Sequence, residues 1–199
     1  MKKQTIIGIV IAVILIIAIV IGVIVINNQK NNKEESSNGV KLETVSQMKE
    51  MINAVYSKLG DELPSLETEE ISTSDIEQVK AYTGLQSNEN IEKLVVSEPL
   101  MNAQAYLLAT VKVKDGADIE GMKQEMLNNL DMRKWICVSA EKLYITNHDN
   151  TIFMIMSSTD WADPVYNAFK EYVDNKIGKE LTKTEEEEIN LPPEMIVVQ

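Results

Sequence analysis

The sequence predicts an α+β fold: an N-terminal transmembrane helix, then an α-α-β-β-α-β-β-α domain with a four-stranded, mainly antiparallel sheet packed by helices. Three observations predict it. Residues 6–26 run for 21 positions without one polar side chain. Beyond them, capped apolar repeats at helical spacing give way to short runs rich in β-branched residues. Two of the resulting strand–strand–helix stretches also echo each other in sequence.

As a helix, residues 6–26 would extend about 32 Å at about 1.5 Å per residue, which matches a hydrocarbon core of about 30 Å. The stretch exceeds the apolar region of a cleaved signal peptide, about 7–15 residues, and ends Val25-Ile26-Asn27-Asn28 without a small-residue cleavage pattern. An uncleaved single-pass signal anchor in the lipid bilayer is therefore expected, preceded by a short basic N-terminus over residues 1–5. Lys2 and Lys3 before the span, against Lys30 and Lys33 beyond it, favour a cytoplasmic N-terminus and an extracytoplasmic domain. Gly8, Ala12, Ala18 and Gly22 share an arc of roughly 120° on one helix face. Such a face allows close helix approach and weak self-association, although four small residues in a span this long are also ordinary background.

Residues 27–43 read as a polar tether. Residues 27–39 contain no hydrophobic side chain and cannot bury enough apolar surface to order themselves. The globular domain is expected over residues 44–178, and residues 179–199 as an acidic, disordered tail. In that tail Glu185 to Glu188 repel one another and Pro192-Pro193 follow.

Inside the domain, Thr44-x-x-Gln47 is a capping box. Val45, Met48, Met51, Ile52, Val55, Tyr56 and Leu59 follow at helical spacing, and Gly60 stops the helix. A second, shorter helix follows Ser74-x-x-Glu77 and runs through Ile76, Val79 and Tyr82 to Gly84. Residues 91–97 and 104–114 read as strands; in the latter, Leu107, Ala109, Val111 and Val113 alternate with Leu108, Thr110 and Lys112, as in a half-buried strand. Residues 118–130 return to helix. Residues 142–146 and 151–157 are strands joined by a tight turn at 147–150. Ile152 to Met156 are apolar without alternation, so that strand should be covered on both faces. Asp163-Pro164 resembles an N-cap with proline at the first helical position, leading into Val165, Phe169, Tyr172, Val173 and Ile177. The echo lies in Glu92-Lys93-Leu94-Val95-Val96-Ser97 against Glu141-Lys142-Leu143-Tyr144-Ile145-Thr146, and it suggests two β-β-α halves.

Composition excludes several functions. The 199 residues include 19 Lys+Arg and 31 Asp+Glu, a net charge of −12. Lys2 and Lys3 are the only charges before Asn27, so the rest holds 17 Lys+Arg against the same 31 acids. Such a domain opposes nucleic-acid binding, because it cannot neutralise phosphates. A lone cysteine can build neither a disulfide framework nor a thiolate zinc cluster. No glycine-rich phosphate loop, nucleophile elbow or H-E-x-x-H pair is present.

Residues 101–127 (MNAQAYLLATVKVKDGADIEGMKQEML) and 141–158 (EKLYITNHDNTIFMIMSS), with the helix after them, resemble the bacterial family catalogued as domain of unknown function 4358. Members of that family look like small membrane-anchored or lipoprotein-like proteins of Gram-positive bacteria. The resemblance covers residues 45–173 and implies localisation and fold type only. The chain departs from it in lacking a lipobox cysteine and in carrying a full apolar span.

Cys137 and His148 are the only candidates for a thiol–imidazole pair. Cys137 sits in the apolar run Trp135-Ile136-Cys137-Val138, where a thiol is ordinarily a small core residue. His148 sits in a turn, where its ring would be solvated. Asp115, Asp118, Asp160 and Asp163 mark helix starts, where carboxylates accept backbone N–H bonds. Met48, Met51, Met122, Met126, Met154 and Met156 fall on core faces, and Trp135 and Trp161 flank helix ends as anchors. No catalytic, cofactor-binding or metal-ligating residue is assigned. The expected function is a non-enzymatic, extracytoplasmic module binding a protein or envelope partner. An enzyme or small-ligand receptor with a site invisible as a motif remains the alternative, as does a structural subunit of a membrane complex.

Overall fold

A computed structural model describes residues 39–185, apart from residue 102. The α+β class holds, with four α-helices and six strands among the described residues. In chain order these are α1 (Val45–Leu59), β1 (Leu66–Ile71), α2 (Ile76–Thr83), β2 (Ile91–Pro99), β3 (Tyr106–Val113), α3 (Ile119–Asn129), β4 (Lys142–His148), β5 (Thr151–Ser157), α4 (Thr159–Tyr172) and β6 (Leu181–Thr184). One antiparallel sheet takes the order β1-β2-β3-β5-β4-β6.

The sheet thus has six strands, not the four expected. Both additions lie on the edges, where the hydrophobic period fades. β1 (LETEEI) shows three glutamates along an open edge, a charge pattern that discourages further strand pairing. β6 pairs with β4 from Leu181↔Ile145 to Thr184↔Lys142, in a segment that charge alone marks as tail. Upstream, Leu42 is buried and its carbonyl accepts a hydrogen bond from the Thr151 hydroxyl at 2.6 Å, so the last tether residues lie on the domain.

The transmembrane architecture is also corrected: among the described residues no helix is long and apolar enough to cross a membrane. The expected single-pass span at residues 6–26 lies outside the described residues. So do Gly8, Ala12, Ala18 and Gly22 and the bilayer contact and self-association expected of them.

Side chains alternate across the sheet into two cores. Leu94, Val96, Leu107, Ala109, Leu143, Ile145, Met154 and Met156 meet Val79 of α2 and Met122 and Met126 of α3 on one face. Val95, Leu108, Phe153 and Ile155 meet Met51, Ile52 and Val55 of α1 and Val165 and Phe169 of α4 on the other. β5 is covered on both sides, as its unbroken apolar run requires. β3 differs from expectation: all eight of its residues are buried, Thr110 and Lys112 included, because α1 and the 40–43 segment cover the face that alternation alone assigns to water.

The echo is structural within the hairpins. Leu94 and Leu143 face one core, as do Val96 and Ile145. The following helices diverge, α3 to one face and α4 to the other. Strand direction explains this. β3-α3-β4 and β5-α4-β6 are both crossovers between parallel strands moving the same way across the sheet, but β3 and β5 run in opposite directions. Crossovers of one hand, right-handed by the general rule, must then lie on opposite faces.

Local chemistry sets the helix ends. The Thr44–Gln47 capping box forms in full. α2 is capped by Asp75, whose carboxylate accepts the Gln78 N–H, one residue after the expected serine. It ends at Gly84, φ 75°, where an added Cβ would lie 3.1 Å from Asn129 Cβ. α4 starts at Thr159 rather than at Asp163-Pro164, which places Pro164 inside the helix. The reason is a cap from outside: Glu141 Oε2 accepts the Thr159 N–H at 2.8 Å, and Asp163 instead accepts the Tyr144 hydroxyl at 2.7 Å.

The Thr159 backbone N–H, followed by its hydroxyl, holds the Glu141 carboxyl below the ordinary glutamate range. A lowered folded value means that this contact stabilises the domain fully above about pH 4.5 and is lost as pH falls through the lowered value. Glu141→Ala is therefore expected to cost about 0.5–1 kcal/mol at pH 7, the ordinary worth of an N-cap. Urea unfolding midpoints should show the gap from the unchanged protein closing on acidification.

Candidate functional site

The two poles of the sheet carry different chemistry. At one pole lie Leu100, Met101 and residues 103–105 between β2 and β3, the 131–141 loop before β4, the start of α4 and the end of β6; Pro99, Tyr106, Lys142, Ser157 and Thr184 mark it in the register. At the other pole lie the 149–150 turn, the end of β3 and the incoming 40–43 segment.

The first pole exposes three large apolar side chains: Leu100 (68% accessible), Met101 (72%) and Ile136 (74%). The loops that carry them are held side by side. Tyr82 of α2 donates its hydroxyl to Glu98 Oε1 at 2.9 Å. Lys134 donates to the Ala81 carbonyl at 2.8 Å and lies over the Tyr82 and Trp135 rings. Burial lowers the Lys134 ammonium, and Glu98 and Asp131 oppose that shift. Burial, then Glu98, pushes the Tyr82 phenol up to about 12. Glu98 is two residues from Leu100, and Lys134 two from Ile136, so one small polar network presents apolar groups from two loops.

Cys137 follows Ile136 at φ 64°, a left-handed conformation that non-glycine residues rarely adopt. Its thiol is exposed, not in the core as its apolar neighbours suggest. The positive φ turns the chain at Cys137, and Trp135 takes the buried place instead.

His148 is also misplaced by sequence pattern. It ends β4, it is only 4% accessible, and its ring bridges two carbonyls: Nδ1 to Lys176 O at 2.7 Å and Nε2 to Val40 O at 2.8 Å. Cys137 and His148 flank opposite ends of a seven-residue strand, some 20 Å long at about 3.3 Å per residue. They cannot form a dyad.

The remaining polar groups are largely spent on the fold. Lys123, wholly buried on α3, binds Asn147 Oδ1 and the Lys179 carbonyl, both at 2.7 Å, and Glu120 at 2.6 Å. That clamp holds the chain into β6. A buried hydroxyl chain links Tyr106 to Tyr56, Tyr56 to Ser97 and Ser97 to Thr68. Burial lifts the Tyr56 phenol to about 12 and Tyr106 well above its usual value. Burial first, then the Asp163 carboxylate, lifts Tyr144 to about 12. Burial and Glu180 hold Tyr166 higher still. Each phenol stays protonated at neutral pH and serves as a structural donor, not as a base.

Of the expected carboxylates, Asp118 caps α3 by accepting the Gly121 N–H and Asp115 accepts the Asn150 amide. Asp160 lies in the first turn of α4. All six core methionines are buried, and the Trp161 indole donates to the Glu62 carbonyl. Among the described residues no group of three or more His, Cys, Asp or Glu side chains could hold a metal ion.

No family model, curated protein or solved structure matches the chain. The likeness to domain of unknown function 4358 therefore rests on the residues quoted above alone.

Proposed function

We propose that the domain is a non-enzymatic binding module, working outside the cytoplasm and taking a protein or envelope partner at the pole that carries Leu100, Met101 and the 131–141 loop. The observation that carries this reading is the exposure of Leu100, Met101 and Ile136 on two loops pinned together by Tyr82, Glu98 and Lys134. Large apolar groups exposed on loops tied to one another are an ordinary mark of an interaction surface. The spending of tyrosines and carboxylates on internal bonds favours the same reading over catalysis.

The chain's single cysteine, exposed beside Ile136, provides the test. A membrane-impermeant maleimide carrying a photo-cross-linker should label Cys137 in intact cells, and illumination should yield discrete adducts. Leu100→Ser/Ile136→Ser should abolish those adducts while changing stability by no more than about 0.5 kcal/mol per site, as for surface positions generally. Labelling only after permeabilisation overturns the location. Adducts undiminished in the double variant overturn the surface.

A further inference from the structure

Lys112 is the described cation whose placement the fold explains least. It is the penultimate residue of β3, with 9% of its surface accessible, and its ammonium has no hydrogen bond or ion pair with any described residue. A lysine packed this far into a fold is ordinarily paired, and the fold supplies no partner for its charge. Lys123, comparably buried, has three.

Lys112 lines a polar cleft of about 260 Å³ at the second pole, together with Glu43, Asp115, His148, Asp149 and Asn150. The cleft is built rather than incidental. His148 and Thr151 fix one wall through the Val40 and Leu42 carbonyls, and Asn150 ties Asp115 across the other at 2.8 Å. Charge is graded with depth. Lys112 is the buried group, whereas the Glu43 and Asp149 side chains are 60% and 85% accessible at the rim.

That gradient selects a ligand class. A simple anion reaching Lys112 meets rim carboxylates, and a simple cation meets the ammonium. A divalent metal lacks a ligand set, since no three acidic, histidine or cysteine groups converge among the described residues. A small molecule with a carboxylate at one end and an ammonium at the other satisfies both layers. The volume is just under the range of about 300–1,000 Å³ for drug-sized pockets. We propose that this cleft binds a free amino acid, its carboxylate on Lys112 and its ammonium toward Glu43 and Asp149. The inference does not depend on the partner surface at the opposite pole.

Titration of the full-length protein by calorimetry with each common L-amino acid, and with acetate and methylamine as half-ligands, tests it. Saturable binding of at least one amino acid is expected, at least about tenfold tighter than either half-ligand, the worth of one further charge-assisted bond. Lys112→Met should abolish that binding, with circular dichroism confirming the fold. If Lys112→Met does not fold, Glu43→Gln/Asp149→Asn serves instead; it should weaken amino-acid binding while leaving acetate unchanged or tighter. Absence of saturable binding overturns the proposal. So do affinity unchanged in Lys112→Met, acetate binding as tightly as the amino acid, or a rim variant that leaves amino-acid affinity intact.

Discussion

His148→Leu is expected to destabilise the domain by about 1–3 kcal/mol, because it strips at least one buried carbonyl of the ring N–H it accepts. Leucine fills much of the ring's volume, so the loss comes mainly from the Val40 and Lys176 oxygens that His148 bridges. The two contacts join the segment entering α1 to the loop leaving α4. His148→Gln, which can reach one carbonyl, should fall between the two. Urea unfolding gives the magnitude. Hydrogen exchange should show the 40–43 segment opening first in the leucine variant. A midpoint within error of the unchanged protein would remove the bridge from any account of the fold.

The second large effect is expected at the clamp on β6. Lys123→Met keeps the apolar stem against its surroundings and deletes three polar contacts, at an expected cost of about 2–3 kcal/mol. Gly178→Ala attacks the same place from the other side: its Cβ would collide with Asn147 Oδ1, the atom that accepts the Lys123 bond. Relief requires Asn147 to swing away, which also breaks its amide bond to the Asp149 carbonyl. The double variant should therefore cost less than the sum of the two singles, by about 0.5–2 kcal/mol, as for residues sharing one network. Additive losses would show that Asn147 is not the shared element. Exchange at β6 amides should rise in all three variants, with β3 and β5 unaffected.

Much of the interior was legible in the sequence, because burial and period are recorded together there. The Thr44–Gln47 box, the six core methionines and the uninterrupted Ile152 to Met156 run each encode a local preference that agrees with the final packing. The edges were not legible. β1 shows three glutamates to water and β6 is the four-residue LTKT; an edge strand needs neither alternation nor apolar content on its open side. The start of α4 was hidden because its cap, Glu141, lies 18 residues upstream, and Asp163-Pro164 offered a plausible local substitute.

At the candidate sites, legibility failed through long-range cover. His148 reads as a turn residue until Val40, 108 positions away, closes over it. Lys112 reads as the polar half of an alternating strand until the 40–43 segment covers that side. Cys137 reads as core until its backbone turns through a positive φ. In each case a residue's neighbours in sequence describe one environment and its neighbours in space another, which is where a functional surface most often departs from a local rule.

The two ends of the described domain meet β4 at opposite ends: Val40 is held at His148, and Thr184 pairs with Lys142. Tension applied between Val40 and Glu185 therefore runs lengthwise along the sheet. The four rungs joining β6 to β4 would share that load in shear and not peel apart one after another.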